Sequence, residues 1–198
     1  MVVLGLTGSI GMGKSTVAGM LRRLQVPVHD ADVAVHRLLA RGGGAVAKVA
    51  AAFPDALKAG AIDRPALGRI VFGDPAALAR LERILHPLVR KEEARFLAAQ
   101  RRAGEAIVAL DIPLLYETGG EKRCDAVIVV TAPRRVQRGR VLGRRGMTAA
   151  KLAGIEARQL SDAEKRRRAD YLVPTGLGKR ESFRRVARIV RELRAKRG

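Results

Sequence analysis

Gly8-Ser9-Ile10-Gly11-Met12-Gly13-Lys14-Ser15 matches the pattern G-x-x-x-x-G-K-[ST]. The run constrains the fold because it works only in one setting, the turn between a buried strand and a helix. Val2-Val3-Leu4-Gly5-Leu6 precedes it as a short apolar strand, and Ser15 to Leu24 follows as a helix with Val17, Met20, Leu21 and Leu24 apolar. Glycines let the backbone curl around an anion, and the helix N-terminus adds partial positive charge. The stretch Gly11-Met12-Gly13-Lys14-Ser15-Thr16 is therefore the expected phosphate cradle of a nucleoside triphosphate. Lys14 is placed to reach the β- and γ-phosphates and the Ser15 hydroxyl to bind Mg²⁺.

Alternating strands and helices predict an α/β protein with a doubly wound, five-stranded parallel sheet of the P-loop NTPase type. Strand two, Gln25 to His29, leads into Asp30-Ala31-Asp32 and a helix from Val33 to Leu39. Ligands of open α/β sheets bind at the strand carboxyl ends. Asp32 is thus a candidate general base for an attacking hydroxyl, with Asp30 in support, against the plainer reading that Asp32 caps the helix. Residues 32–104 read as a helical insertion that contains a flexible Arg41-Gly42-Gly43-Gly44 joint, a turn at 59–64 and a helix junction at His86-Pro87. His86 either contacts a second substrate there or is a junction residue satisfied by backbone.

Ala106 to Asp111 is a third strand, and Asp111 at its end is placed to help hold Mg²⁺ through water. The loop Ile112-Pro113-Leu114-Leu115-Tyr116-Glu117 carries apolar residues at the binding edge, either as a substrate surface or as packing under the helical insertion. Asp125 to Thr131 is strand four. A basic helix from Ala132 through Arg145, a turn at 146–148 and a further helix read as a lid over about residues 134–160. Its arginines are available to neutralise charge on a transferring phosphoryl group, or are a solvated face. A helix from Ser161 to Arg168, strand five at 169–173 and an amphipathic helix from Lys179 to Lys196 complete the chain. The nucleotide-binding core is expected at 1–31 and 105–198.

The net charge is +20, from 39 Lys and Arg against 19 Asp and Glu. Such a chain attracts polyanions, but an aromatic content of 3% supplies few stacking platforms for single strands. Two anionic small substrates suit it better than a nucleic acid. Asn is absent, so no guanine-reading N-K-x-D motif exists. The single cysteine, Cys124, excludes an internal disulfide and reads as a structural thiol. The first apolar stretch ends in the phosphate loop rather than in a signal-peptide cleavage site, and no apolar run reaches the length of a membrane span, so a cytoplasmic protein is expected.

Taken together, several stretches resemble the bacterial dephospho-CoA kinases, relatives of the nucleoside monophosphate kinases. They are Gly5 through Thr16, Asp30-Ala31-Asp32, Gly60-Ala61-Ile62-Asp63-Arg64 with Leu67 and Phe72, Leu81-Glu82 with His86-Pro87, and Pro113 through Glu117. Gln137 with Arg140 and Arg144, Gln159, Lys165 and Ala169-Asp170 continue the likeness over essentially the whole length. The resemblance implies ATP-dependent phosphorylation of the ribose 3′-hydroxyl of dephospho-CoA, the last step of coenzyme A synthesis. It implies Asp32 as base, Lys14 and Ser15 as phosphate and Mg²⁺ ligands, and Arg140 and Arg144 as lid arginines toward ATP. The insertion becomes the acceptor domain, with Leu114, Leu115, Tyr116 and Glu117 lining the pocket. Thr175 stands where the family usually has asparagine, which implies looser base selectivity or recognition by backbone if that loop frames adenine; Arg145 stands where aspartate is common and Ile155 where arginine is common. A small-molecule kinase acting as a monomer or weak homo-oligomer, with no specific nucleic acid partner, is the resulting expectation. A kinase of another nucleoside or nucleotide, and a basic ATP-binding nucleic-acid module, are its alternatives.

Overall fold

A computed structural model describes residues 1–195. The chain divides into two units, one formed by Met1–His29 with the chain from Gln100 onward, the other by Asp30–Ala99, where the sequence placed an insertion at 32–104.

The first unit is built on β1 (Val2–Thr7), β2 (Val28–Asp30), β5 (Ile107–Asp111), β6 (Ala126–Thr131) and β7 (Tyr171–Pro174), in the order β2-β5-β1-β6-β7. β1 is central and pairs in parallel with both β5 and β6. Both faces are covered, which is why these strands are apolar without alternation. Ile128 and Val130 of β6 pack with α1 (Lys14–Arg23) and α9 (Lys179–Ala195), whereas Val127 and Val129 pack with Leu115 and Tyr116. The α9 stripe of Val186, Ile189, Val190 and Leu193 is buried as its helical spacing predicts; Lys196 lies outside the described residues.

The excursion after β6 consists of α6 (Arg134–Leu142) and α7 (Ala149–Glu156), followed by α8 (Asp162–Arg167). α6 stops three residues short of the expected Arg145, because Gly143 caps it. Thr148 and Ser161 cap the next two helices through side-chain oxygens.

The second unit has its own core of Leu38, Val49, Phe53, Ile62, Leu67 and Leu81 among others. It comprises α2 (Ala31–Leu39), α3 (Val46–Ala52), a 3₁₀ turn at Pro54–Ala56, β3 (Leu57–Lys58), β4 (Ala61–Ile62), α4 (Arg64–Val71) and α5 (Pro75–Arg102). The expected turn at 59–64 is in part a β-hairpin. Ala59 and Gly60 both have positive φ (49° and 77°), the requirement of the tight two-residue turn that suits strand twist. His86-Pro87 is not a junction. α5 runs 28 residues with Pro87 inside it. Pro87 cannot donate to the Arg83 carbonyl, but buried Leu81 and Leu85 before it and half-buried Leu88 and Val89 after it pack on one core, and that packing overrides the local preference. Among the described residues, no helix is long and apolar enough to cross a membrane.

The cap of α2 is Asp30, not Asp32: its Oδ1 accepts the Val33 N–H at 3.0 Å, leaving Asp32 exposed in the first turn with its carboxylate outside the cap. In chemical denaturation, Asp30→Ala is expected to cost about 1 kcal/mol, and Asp32→Ala about half that or less, as the loss of one first-turn charge.

Candidate active site

The glycine-rich turn has the conformation its sequence requires. Gly11 (φ 77°) and Gly13 (φ 93°) occupy the left-handed region. A Cβ on Gly11 would lie 2.4 Å from Val141 Cγ2, and one on Gly13 3.0 Å from Thr175 Oγ1. Gly13 is the N-cap of α1 and has no side chain to fill the cap, so the Lys14 and Ser15 N–H groups are left for an anion, while the Thr16 N–H bonds the Gly13 carbonyl. Met12 N–H closes the turn on the Ser9 carbonyl at 3.1 Å.

Lys14, the first residue of α1, is held at the end of β5. Its Nζ lies 2.5 Å from Asp111 Oδ1. The β1–β5 register pairs Leu6 with Asp111, which brings the carboxylate to the edge from which the loop springs. The Asp111 side chain is 2% exposed, and so deeply buried a charge needs a partner. Thr7 Oγ1 donates to the Pro113 carbonyl at 3.0 Å and fixes the start of the 112–117 loop.

Arg140 closes the other side. Its guanidinium donates to Thr175 Oγ1 (2.9 Å) and the Thr175 carbonyl (2.8 Å), and Nη1 lies 3.4 Å from the Gly11 carbonyl. Thr175 Oγ1 in turn donates to the Met12 carbonyl at 2.6 Å, and its N–H bonds the Thr131 carbonyl at 2.8 Å. The residue noted only for replacing asparagine is thus the fastener between the phosphate loop, β6 and the basic helix. Arg144 lies beyond the end of α6 and is exposed.

The 112–117 loop does not present all its side chains outward. Leu115 is fully buried and Tyr116 nearly so, both in the cluster with Val127 and Val129. These two are core residues, which corrects their expected place in a pocket lining: apolar residues at this edge fill the space beneath the segment that follows α7. Tyr116 Oη donates to the Arg168 carbonyl at 2.9 Å. Burial, with Asp170 and Glu121 nearby, pushes its hydroxyl up to about 12. Glu117 Oε1 accepts the Leu160 N–H at 2.8 Å and lies 2.9 Å from the wholly buried Lys165 Nζ. Leu114 is half-buried, and its carbonyl accepts the Thr118 hydroxyl at 2.8 Å.

The structure therefore gathers Lys14, Ser15, Asp111, Arg140 and the loop Gly11 to Thr16 in the first unit. Asp32 and His86 belong to the second unit, where His86 is exposed on α5. In sequence Thr175 is a departure that bears on base selectivity; its bonds to the phosphate loop are not legible there, since the partners lie far along the chain. Cys124 is half-buried beside the Leu115 cluster with its Sγ toward the Gly120 carbonyl, as a structural thiol would be.

A model of the dephospho-CoA kinase family matches residues 2–177. A dephospho-CoA kinase of Mesorhizobium japonicum is 57% identical over 198 residues, covering 100% of both chains. One of Paramagnetospirillum magneticum is 63% identical over 166 residues, covering 84% of this chain and 78% of the relative. A crystal structure from Thermus thermophilus superposes with a TM-score of 0.84 at 37% identity over 96% of each chain. By the family model over residues 2–177 and by whole-length identity to such relatives, the chain belongs to the dephospho-CoA kinase family.

Proposed function

We propose that this chain transfers the γ-phosphoryl group of ATP to the ribose 3′-hydroxyl of dephospho-CoA, giving coenzyme A and ADP. The observation that carries this reading is whole-length kinship with dephospho-CoA kinases in a chain whose phosphate loop holds Lys14 at a buried carboxylate. The α1 N-terminus and the N–H groups of Gly11, Gly13, Lys14 and Ser15 bind the phosphates, the Met12 and Thr16 N–H groups being spent on the Ser9 and Gly13 carbonyls. Lys14 exchanges Asp111 for the β- and γ-phosphates when nucleotide arrives. Arg140 and Arg144 add positive charge from the α6 side.

Asp32 accepts the proton of the 3′-hydroxyl as that oxygen attacks phosphorus in line with the departing ADP oxygen. Its freedom from the helix cap supports this role. His86 and Leu114 are assigned to acceptor binding. Glu117 and Tyr116 act by holding the loop rather than by touching substrate.

The residues present fit Mg²⁺. Among the described residues no cluster of three or more His, Cys, Asp or Glu forms a cage. Mg²⁺ is a hard cation that takes most of its oxygen ligands from phosphates and water. The Ser15 hydroxyl and, through water, Asp111 would hold it, and bound Mg²⁺ supplies charge neutralisation across the β- and γ-phosphates. The reading places the enzyme in the cytoplasm, with small anionic substrates as its partners and no specific nucleic acid among them.

ADP release from Mg²⁺-ATP, followed with dephospho-CoA, AMP, adenosine and single-stranded DNA in parallel, tests the reading. Strong turnover with dephospho-CoA alone is expected, and preference for another acceptor would refute it. Asp32→Asn is expected to lower kcat by about 10²–10⁴ with ATP binding retained; full turnover would remove Asp32 from the mechanism. Thr175→Val keeps the volume but strips both Oγ1 hydrogen bonds, and is expected to raise the KM for ATP about 5- to 10-fold, read from steady-state kinetics.

A further inference from the structure

Two glutamines within the stretches that resemble the family have no part in the chemistry above, yet both grip one residue of the phosphate loop. Ile10 is the third residue of the Gly8–Ser15 turn. Its N–H donates to Gln159 Oε1 at 3.1 Å, and its carbonyl accepts Gln137 Nε2 at 3.0 Å. Gln137 is 4% exposed on α6, the outgoing leg of the excursion after β6. Gln159 lies in the returning leg, between α7 and α8, where the next residue, Leu160, is held by Glu117. The two legs therefore meet at opposite poles of one residue, a donor to its carbonyl and an acceptor to its N–H.

Two peptide planes are fixed by this. Among the described residues all peptide bonds are trans, so the C=O and N–H of each plane point in opposite directions. Holding the Ile10 carbonyl toward Gln137 turns the Gly11 N–H away from it. Holding the Ile10 N–H toward Gln159 turns the Ser9 carbonyl away, where it accepts the Met12 N–H at 3.1 Å and closes the turn. Val141 and the Gln137 carbonyl of α6 lie close on the Cβ side of Gly11, so α6 also packs against the loop next to the clasp.

We propose that Gln137 and Gln159 are positioning residues for phosphoryl transfer. Together they form a two-sided clasp on Ile10 that aims the Gly11 N–H at the nucleotide phosphates and couples the phosphate loop to the α6–α7 excursion. The inference rests on the reading of Gly8–Ser15 as the ATP phosphate cradle. An amide is the side chain the clasp needs at each leg: it donates at one and accepts at the other without placing a charge beside the loop.

The test measures Gln137→Met, Gln159→Met, the double variant and Gln159→Glu for melting temperature, steady-state kinetics with each substrate, and calorimetric ADP binding. Wild-type turnover with dephospho-CoA is recorded first; its absence would overturn the functional reading rather than the clasp. With wild type active, each methionine variant is expected to raise the KM for ATP and the Kd for ADP about 5- to 10-fold with the KM for dephospho-CoA within about twofold. The double variant is expected to be no worse than about the worse single one, since either break frees the same residue. Gln159→Glu, which keeps an acceptor for the Ile10 N–H, recovers part of what Gln159→Met loses. Unchanged ATP and ADP constants, equal loss toward both substrates, or additive effects would overturn the clasp. Gln159 sits on a half-buried connection, so its variants decide the matter even if the buried Gln137→Met fails to fold.

Discussion

The ion pair between Lys14 and Asp111 is the constraint around which the first unit is arranged. A carboxylate with a 2% exposed side chain is costly to desolvate, and a cation 2.5 Å away offsets that cost. The pair exists only if β1 and β5 lie side by side in the register that sets Leu6 against Asp111, and only if the chain turns from β1 into α1 tightly enough to make Lys14 the first helical residue. The apolar strands, the covering by α1 and α9, and the left-handed glycines all serve that geometry. In the proposed reaction the same tension makes the pair useful. Phosphate is a better partner for Lys14 than a single carboxylate, and the carboxylate released can turn to the cation that accompanies ATP.

Support for the loop comes from long-range contacts. Thr175 is 163 residues from Met12, and Gln137 and Gln159 are 127 and 149 residues from Ile10. Each bonds a main-chain group of the turn, so the loop is held from the β7 end and from both legs of the α6–α7 excursion at once. By contrast, much of the basic charge is local and solvated. Glu164 pairs with Arg167 and Arg168, and Glu181 with Arg184 and Arg185, at helical spacings of three and four. Exposed pairs of this kind add little stability, and their role is closer to keeping the surface soluble and attractive to anions.

What was legible in the sequence follows the same division. The phosphate loop, the sheet, the Asp111 strand end and the α9 stripe depend on local pattern and periodicity, and these could be read directly. Pro87 misled because the proline rule is local, while the apolar residues on either side of it share one core. The choice between Asp30 and Asp32 as cap turns on a helix start two residues earlier than expected, which pattern does not resolve. For Leu115 and Tyr116 the sequence leaves surface and packing open, and the family resemblance favours the pocket; that they point into the core depends in part on a segment more than 40 residues away, as the Tyr116 bond to Arg168 shows. Thr175, Gln137 and Gln159 gave no local signal for their contacts with the loop.

The most direct test of the central claim, that the Lys14–Asp111 pair is a resting arrangement given up to nucleotide and metal, is a comparison of wild type with Asp111→Asn. Calorimetric ADP binding without Mg²⁺ would be measured beside Mg²⁺-ATP turnover with dephospho-CoA. The account expects the variant to bind ADP at least as tightly as wild type, because a competitor for Lys14 has lost its charge, while turnover falls by about 10²-fold or more. Weaker metal-free ADP binding together with undiminished turnover would contradict it.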